Sequence, residues 1–215
     1  MLLETRSSPP FFKNGFVVAC DRTREAIVID PGDEIVDLVD IVRRHALGVR
    51  HILLTHAHVD HVAGVAEAKR VFGARIGLHI DDRVLYDAAV RQGLAFGYRI
   101  EEPPPPDFFL EPGVPLSFGT HEIRAHHTPG HSPGGVCLEV RHASEARTHL
   151  FVGDTLFAGS IGRTDLPGGD LATLLRSIRE VLFAFGDDAL VHPGHGPATT
   201  IGEERRTNPF LTGEM

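Results

Sequence analysis

The chain has 215 residues, 42% of them hydrophobic and 23% charged, the composition of a soluble globular protein long enough to bury a core without staples. Its formal charge of −8, from 21 basic against 29 acidic side chains with no basic block, disfavours nucleic acid or an anionic membrane as a partner. No apolar run approaches the roughly 18 residues of a membrane span, and the N-terminus lacks the apolar core of a secretory signal.

Residues 16–20 and 25–30 are short apolar, β-branched runs on either side of 21–24, the pattern of a hairpin. Asp30-Pro31-Gly32-Asp33 then breaks the strand. Ile35, Leu38, Val39, Val42 and Ala46 recur at helical spacing, with Gly48 as the stop. Residues 51–55 predict a strand, 62–72 a helix closed by Gly73, 75–79 a short strand, and 81–94 a further helix opened by acidic residues. Pro103, Pro104, Pro105 and Pro106 predict a stiff, extended surface connector inside one domain.

Beyond the prolines the pattern turns to β, at 114–118, 122–127, 135–140 and 149–153. A long Gly-rich loop at 154–169, of the length that often carries function, leads to a helix over 171–185 and a last strand at 189–192. Thr200-Ile201-Gly202-Glu203 has the form of a capping box for a short terminal helix. Strands thus fall in two groups, for which two sheets face to face with helices outside is one economical packing. Cys20 and Cys137 lie in strand-like runs, form no C-x-x-C pair, and read as small buried thiols suited to a reducing cytoplasm.

Fourteen histidines are present, and their placement matters more than their number. The densest stretch, Thr-His-Ala-His-Val-Asp-His at 55–61, sits where a strand ends and a helix begins. His56 and His58 point to the same side in extended backbone, while Asp60 and His61 approach from the turn into the helix, a set that suits a divalent metal with N and O ligands. The plain alternative is a polar loop that happens to be rich in histidine. Three other segments place a ligand residue in a tight Gly/Pro loop after a β-like run: Thr128-Pro129-Gly130-His131, Gly153-Asp154-Thr155 and His192-Pro193-Gly194-His195. Taken singly, a histidine in such a loop is a surface or hydrogen-bonded residue more often than a ligand.

Together these segments resemble the metallo-β-lactamase-fold hydrolases, from about residue 16 to residue 210. The resemblance implies one α/β domain over 1–215, a four-layer αββα sandwich of two mixed sheets with outer helices. It implies a two-metal site in which His56, His58 and His131 hold one ion, Asp60, His61 and His195 the other, and Asp154 bridges both. The ions would be two divalent metals, zinc first, with iron or manganese as the other candidates. A hydroxide shared between them would be the nucleophile, and Asp60 and Asp154 the catalytic carboxylates, with Asp60 able to handle a proton.

Within that superfamily Gly153-Asp154-Thr155-Leu156-Phe157, Gly162-Arg163-Thr164-Asp165, Pro193-Gly194-His195-Gly196-Pro197 and Thr207-Asn208-Pro209-Phe210 resemble the glyoxalase II group, which cleaves glutathione thioesters. The expected activity is therefore hydrolysis of a small-molecule thioester such as an S-acylglutathione. Arg163 would contact the substrate carbonyl or carboxylate, the alternative being an ion pair with Asp165. The C-terminal helical extension of full-length glyoxalase II has no counterpart after Phe210, so another thioester or small ester remains open.

Two further readings belong to the same resemblance. One is a persulfide dioxygenase with a single iron on His56, His131 and Asp154; the other is a lactonase or esterase of this fold. Purely structural metals fit poorly, since neither cysteine belongs to the ligand set. His192 reads as a strand-end histidine or an orienting neighbour of a ligand, His79 as surface or structural, and His126 and His127 as a pair of which one faces inward. Tyr86, Tyr98, Phe108 and Phe109 read as core before substrate mouth. Oligomeric state is not legible.

Overall fold

Residues 1–141 and 147–213 are described by the computed structural model, which divides into two units. The first comprises Met1–Leu110 and Ser117–His121, the second Glu111–Leu116 and the chain from Glu122 onward.

In the first unit β1 (Leu2–Ser8) pairs antiparallel with β2 (Lys13–Ala19), and β2 with β3 (Glu25–Ile29). The amphipathic helix α1 (Ile35–Arg44) crosses over to β4 (Gly48–Leu53), which lies parallel to β3. Two short helices, α2 (Val59–Val62) and α3 (Val65–Phe72), lead to β5 (Arg75–Leu78), again parallel. Helices α4 (Arg83–Asp87) and α5 (Ala89–Ala95) and the proline run precede β6 (Phe108–Phe109), which completes a mixed six-stranded sheet in the order β1-β2-β3-β4-β5-β6. Leu38, Ile41 and Val42 of α1 pack on Val28, Ile52, Leu54 and Ile76 of the sheet, each fully buried leucine or isoleucine contributing about 1.5–3 kcal/mol.

The second sheet is also mixed and six-stranded, in the order β14-β13-β10-β9-β8-β7. Its strands are β7 (Leu116–Phe118), β8 (His121–His127), β9 (Val136–Arg141), β10 (His149–Gly153), β13 (Leu190–Pro193) and β14 (Thr199–Thr200). A separate hairpin, β11 (Leu156–Phe157) with β12 (Ser160–Ile161), follows β10. Helix α6 (Leu171–Glu180) buries Leu174 and Ile178 against Leu150, Val152 and Val191, and α7 (Ile201–Thr207) and α8 (Pro209–Thr212) end the described chain.

The expected α/β class and two mixed sheets are present, with several local differences. Strand β1 was not anticipated, because Leu-Leu-Glu-Thr-Arg-Ser-Ser carries little apolar alternation; its antiparallel ladder to β2 supplies the order instead. The helix expected over 62–72 starts earlier and is interrupted at Gly64, whose N–H donates to the Pro31 carbonyl. The helix expected over 81–94 breaks at Ala88 into α4 and α5, and the one over 171–185 ends in a 3₁₀ turn at Leu182–Phe185. The Thr200 cap forms as read, its hydroxyl accepting from the Glu203 N–H. Among the described residues no helix is long and apolar enough to cross a membrane.

Candidate metal centre

Each unit gathers a set of ligand-type side chains at strand ends. In the first unit β4 ends at Leu53, the chain bends at Thr55, and His58, with extended backbone, serves as the N-terminal cap residue of α2. The carboxylate of Asp82 accepts the Ala57 N–H at 2.8 Å, pinning the backbone between the two histidines. His56 lies with its ring centroid 4.9 Å from that of His58 and 4.0 Å from that of His61. Asp60 sits in the first turn of α2, with an oxygen 3.8 Å from His61 Nε2.

Asp30 organises this set from beneath. Its carboxylate is fully buried and accepts the Thr55 N–H at 2.7 Å and the Thr55 hydroxyl at 2.6 Å, while His61 Nδ1 stands 2.9 Å from the same carboxylate. Because an ionised carboxylate only accepts, His61 Nδ1 carries the proton and Nε2 the lone pair. The Thr55 hydroxyl, having donated to Asp30, accepts from His56 Nδ1 at 3.2 Å, which fixes the same tautomer on His56. Two imidazoles are thereby aimed with Nε2 outward, as a carboxylate behind a metal-ligating histidine does. Close packing is essential here: a Cβ on Gly32 would stand 2.2 Å from the Asp60 carbonyl.

In the second unit His131 Nε2 and His195 Nε2 each lie 3.6 Å from Asp154 Oδ2. That distance is too long for a hydrogen bond. It fits donor atoms that share an ion, since two ligands each ~2.1 Å from a tetrahedral zinc stand roughly 3.4 Å apart. His131 Nδ1 lies 2.8 Å from the Arg163 carbonyl, which can only accept, so Nε2 again holds the lone pair. The donor set in both units is imidazole and carboxylate with no thiolate, and it fits a borderline divalent ion.

The Arg163 side chain itself is engaged with Asp165. Its guanidinium makes a bidentate pair with Asp165, 2.7 Å on each arm, in solvent. The hydrogen bonds from Arg163 hold the Asp165 carboxyl down at about 2.

Of the remaining histidines, His192 is buried and stacks on His149, with Nδ1 of His149 3.0 Å from its Nε2, and on Phe151. Burial, and then the neighbouring His149, pushes His192 down to about 4. His126 pairs with the buried Glu139 at 2.7 Å and His127 meets the Pro133 carbonyl at 2.9 Å. His79 is buried and caps the 3₁₀ turn at Ile80–Asp82. Tyr86 is core, its hydroxyl donating to the Pro104 carbonyl.

Sequence reasoning did not find Asp30 or Asp82. Asp30 was read as a strand breaker, and its positive φ of 50° agrees with that turn chemistry. The available signal was an aspartate at the end of a buried β-branched strand, where a solvent-facing carboxylate has no place.

Over residues 8–195 the chain matches the family model described as Metallo-beta-lactamase superfamily. It is 37% identical over 202 residues to the Hydroxyacylglutathione hydrolase GloC of Haemophilus influenzae, covering 93% of both proteins. Among solved structures it is similar to the BLEG-1 B3 metallo-beta-lactamase, with a TM-score of 0.87 and 37% identity over 99% of this chain and 100% of that one. TTHA1623 in a di-iron-bound form matches with a TM-score of 0.85 and 39% identity, over 97% and 100%.

Proposed function

We propose that this chain, which belongs to the metallo-β-lactamase superfamily, is a binuclear metal-dependent hydrolase of a small-molecule thioester such as an S-acylglutathione. The observation that supports it most is the Asp154 oxygen standing 3.6 Å from both His131 Nε2 and His195 Nε2, a spacing for ligands and not for hydrogen bonds.

In this reading the two units form one domain, and their ligand sets combine. His56, His58 and His131 would hold one ion, Asp60, His61 and His195 the other, with Asp154 shared. Two such ions would supply an acidified water and a Lewis acid for the scissile carbonyl. Asp30 and Thr55 select the tautomer of His56 and His61 that would present Nε2 as the ligating nitrogen, and the Arg163 carbonyl does so for His131. Asp60 would take the proton of the attacking oxygen and pass it to the thiolate as it leaves. The Arg163 guanidinium would exchange Asp165 for a substrate carboxylate, both being exposed and bidentate acceptors.

The GloC relative, matched over 93% of its own length, supports the thioester class. The metal would be zinc, iron or manganese, and the di-iron-bound form of TTHA1623 supports iron. The buried, free Cys20 and Cys137 suit a reducing cytoplasm.

The test is an assay of the metal-loaded protein on S-lactoylglutathione, with a cephalosporin, a lactone and a persulfide with oxygen electrode beside it. Thioester cleavage that His58→Ala and Asp154→Asn abolish supports the reading. Oxygen uptake with one bound iron, or β-lactam or lactone cleavage alone, overturns it.

A further inference from the structure

We infer that Glu204 and Asn208 are positioning residues that hold His131 in its Nδ1-protonated tautomer, acting through the β11–β12 hairpin. The inference rests on the ligand role proposed for His131. Both side chains are buried, Glu204 at 1% exposure and Asn208 at 0%. The Gly159 N–H and the Asn208 side-chain amide each donate to Glu204 Oε2 at 2.8 Å, and the Thr199 hydroxyl donates to Oε1 at 2.6 Å. Asn208 also donates to the Ser160 carbonyl at 3.0 Å and accepts the Phe210 N–H at 3.1 Å.

Gly159 and Ser160 are the tip of the hairpin, in which Leu156 pairs with Ile161 and Phe157 with Ser160. Its outgoing strand runs directly into Gly162 and Arg163. There a Cβ on Gly162 would stand 1.8 Å from the Asp154 carbonyl and 3.2 Å from His131 Nδ1. One residue later the Arg163 carbonyl receives the His131 Nδ1 proton at 2.8 Å.

The hairpin is therefore held at both ends: at its tip by α7 and the residue after it, and at its base by two proposed ligands. If the tip is released, the Arg163 carbonyl is placed by the base of the hairpin alone, through the Leu156–Ile161 pair and its own contact with His131. A shift of about 1 Å carries that contact beyond hydrogen-bonding range. His131 then loses what distinguishes its two nitrogens, and the other tautomer, with Nε2 protonated and unable to ligate, becomes populated.

Four variants test this: Glu204→Ala, Asn208→Ala, the conservative Glu204→Gln, and Ile178→Ala as a core substitution that destabilises the same unit. Should Asn208→Ala not fold, Asn208→Ser replaces it. In Glu204→Gln the amide oxygen can face Gly159 and Asn208 while its NH₂ donates to the Thr199 hydroxyl. The readouts, taken well below every melting temperature, are the His131 tautomer from ¹⁵N–¹H correlation in metal-free protein and the zinc dissociation constant from chelator competition.

The expected result is a mixed tautomer and zinc affinity lowered about 10- to 100-fold in Glu204→Ala and Asn208→Ala. Glu204→Gln should stay close to wild type, and Ile178→Ala should lose stability with neither readout moved. Alanine variants that keep the Nδ1–H tautomer overturn the inference and leave the pair as a structural lock. A wild type that keeps that tautomer yet takes up no zinc overturns instead the ligand role on which it rests.

Discussion

The Asp30 carboxylate meets His61 Nδ1 at 2.9 Å, with both side chains fully buried. This contact links a residue at the end of β3 to one in α2, 31 positions later, and makes Asp30 the common anchor of Thr55, His56 and His61. Every donor around it needs an acceptor, and only a carboxylate supplies acceptors on both oxygens.

Asp30→Asn places an NH₂ against at least one of those donors. Stability should fall by about 1–3 kcal/mol, the cost of a buried donor left unmatched. Metal affinity should fall about 10- to 100-fold. Thermal melts with chelator competition check both. A variant that melts earlier but binds metal as tightly as wild type would confine Asp30 to a structural role.

Gly162→Ala forces a Cβ to within 1.8 Å of the Asp154 carbonyl, a backbone atom with little room to retreat. The expected cost is about 1–3 kcal/mol of overpacking, with bound metal lowered because Asp154 and His131 flank the site of strain. Melting temperature and elemental analysis on the same sample measure the two effects.

His192 gives the stability a pH dependence of known sign. Its folded value is depressed from the ordinary 6.5 to about 4 by burial and then by His149, so the fold accommodates only the neutral ring. The unfolded chain takes up a proton near 6.5 that the folded chain refuses until about 4, so stability is lost as pH falls through that window. The loss amounts to roughly 3 kcal/mol. Urea unfolding at pH 7.5, 6, 5 and 4 should show a steeper decline for wild type than for His192→Gln. Parallel profiles would assign the acid sensitivity elsewhere.

Arg163 separates side chain from backbone. Arg163→Ala removes the guanidinium but keeps the carbonyl on His131, so metal content should stay at the wild-type level. If the guanidinium binds substrate in ground and transition states alike, KM rises about 10-fold with kcat nearly unchanged. An unchanged KM would leave the Asp165 pair as its only task.

The candidate ligands were legible wherever they cluster locally or sit in Gly/Pro loops. His56, His58, Asp60 and His61 fall within six residues at a strand-to-helix junction, and that density is itself the signal. The two-sheet order was legible because the β-patterned runs 16–30 and 114–153 are separated by the proline run. Asp30 and Asp82 were not legible because their work lies in contacts to Thr55, His61 and Ala57, at least 25 residues away in sequence, and a strand break at Asp30 and a helix start at Asp82 already accounted for an aspartate at each place. The hairpin inside 154–169 was missed for a different reason. Two-residue strands carry no period, and its order comes from Glu204 and Asn208, more than 40 positions downstream.

The most direct test of the proposed centre is the number of metal ions held per chain after loading with zinc or iron and exhaustive desalting. The account predicts about two per wild-type chain, falling to one or fewer in Asp154→Asn because that carboxylate serves both ions. A folded wild-type protein that retains one ion or none, or an Asp154→Asn variant that still retains two, would contradict it.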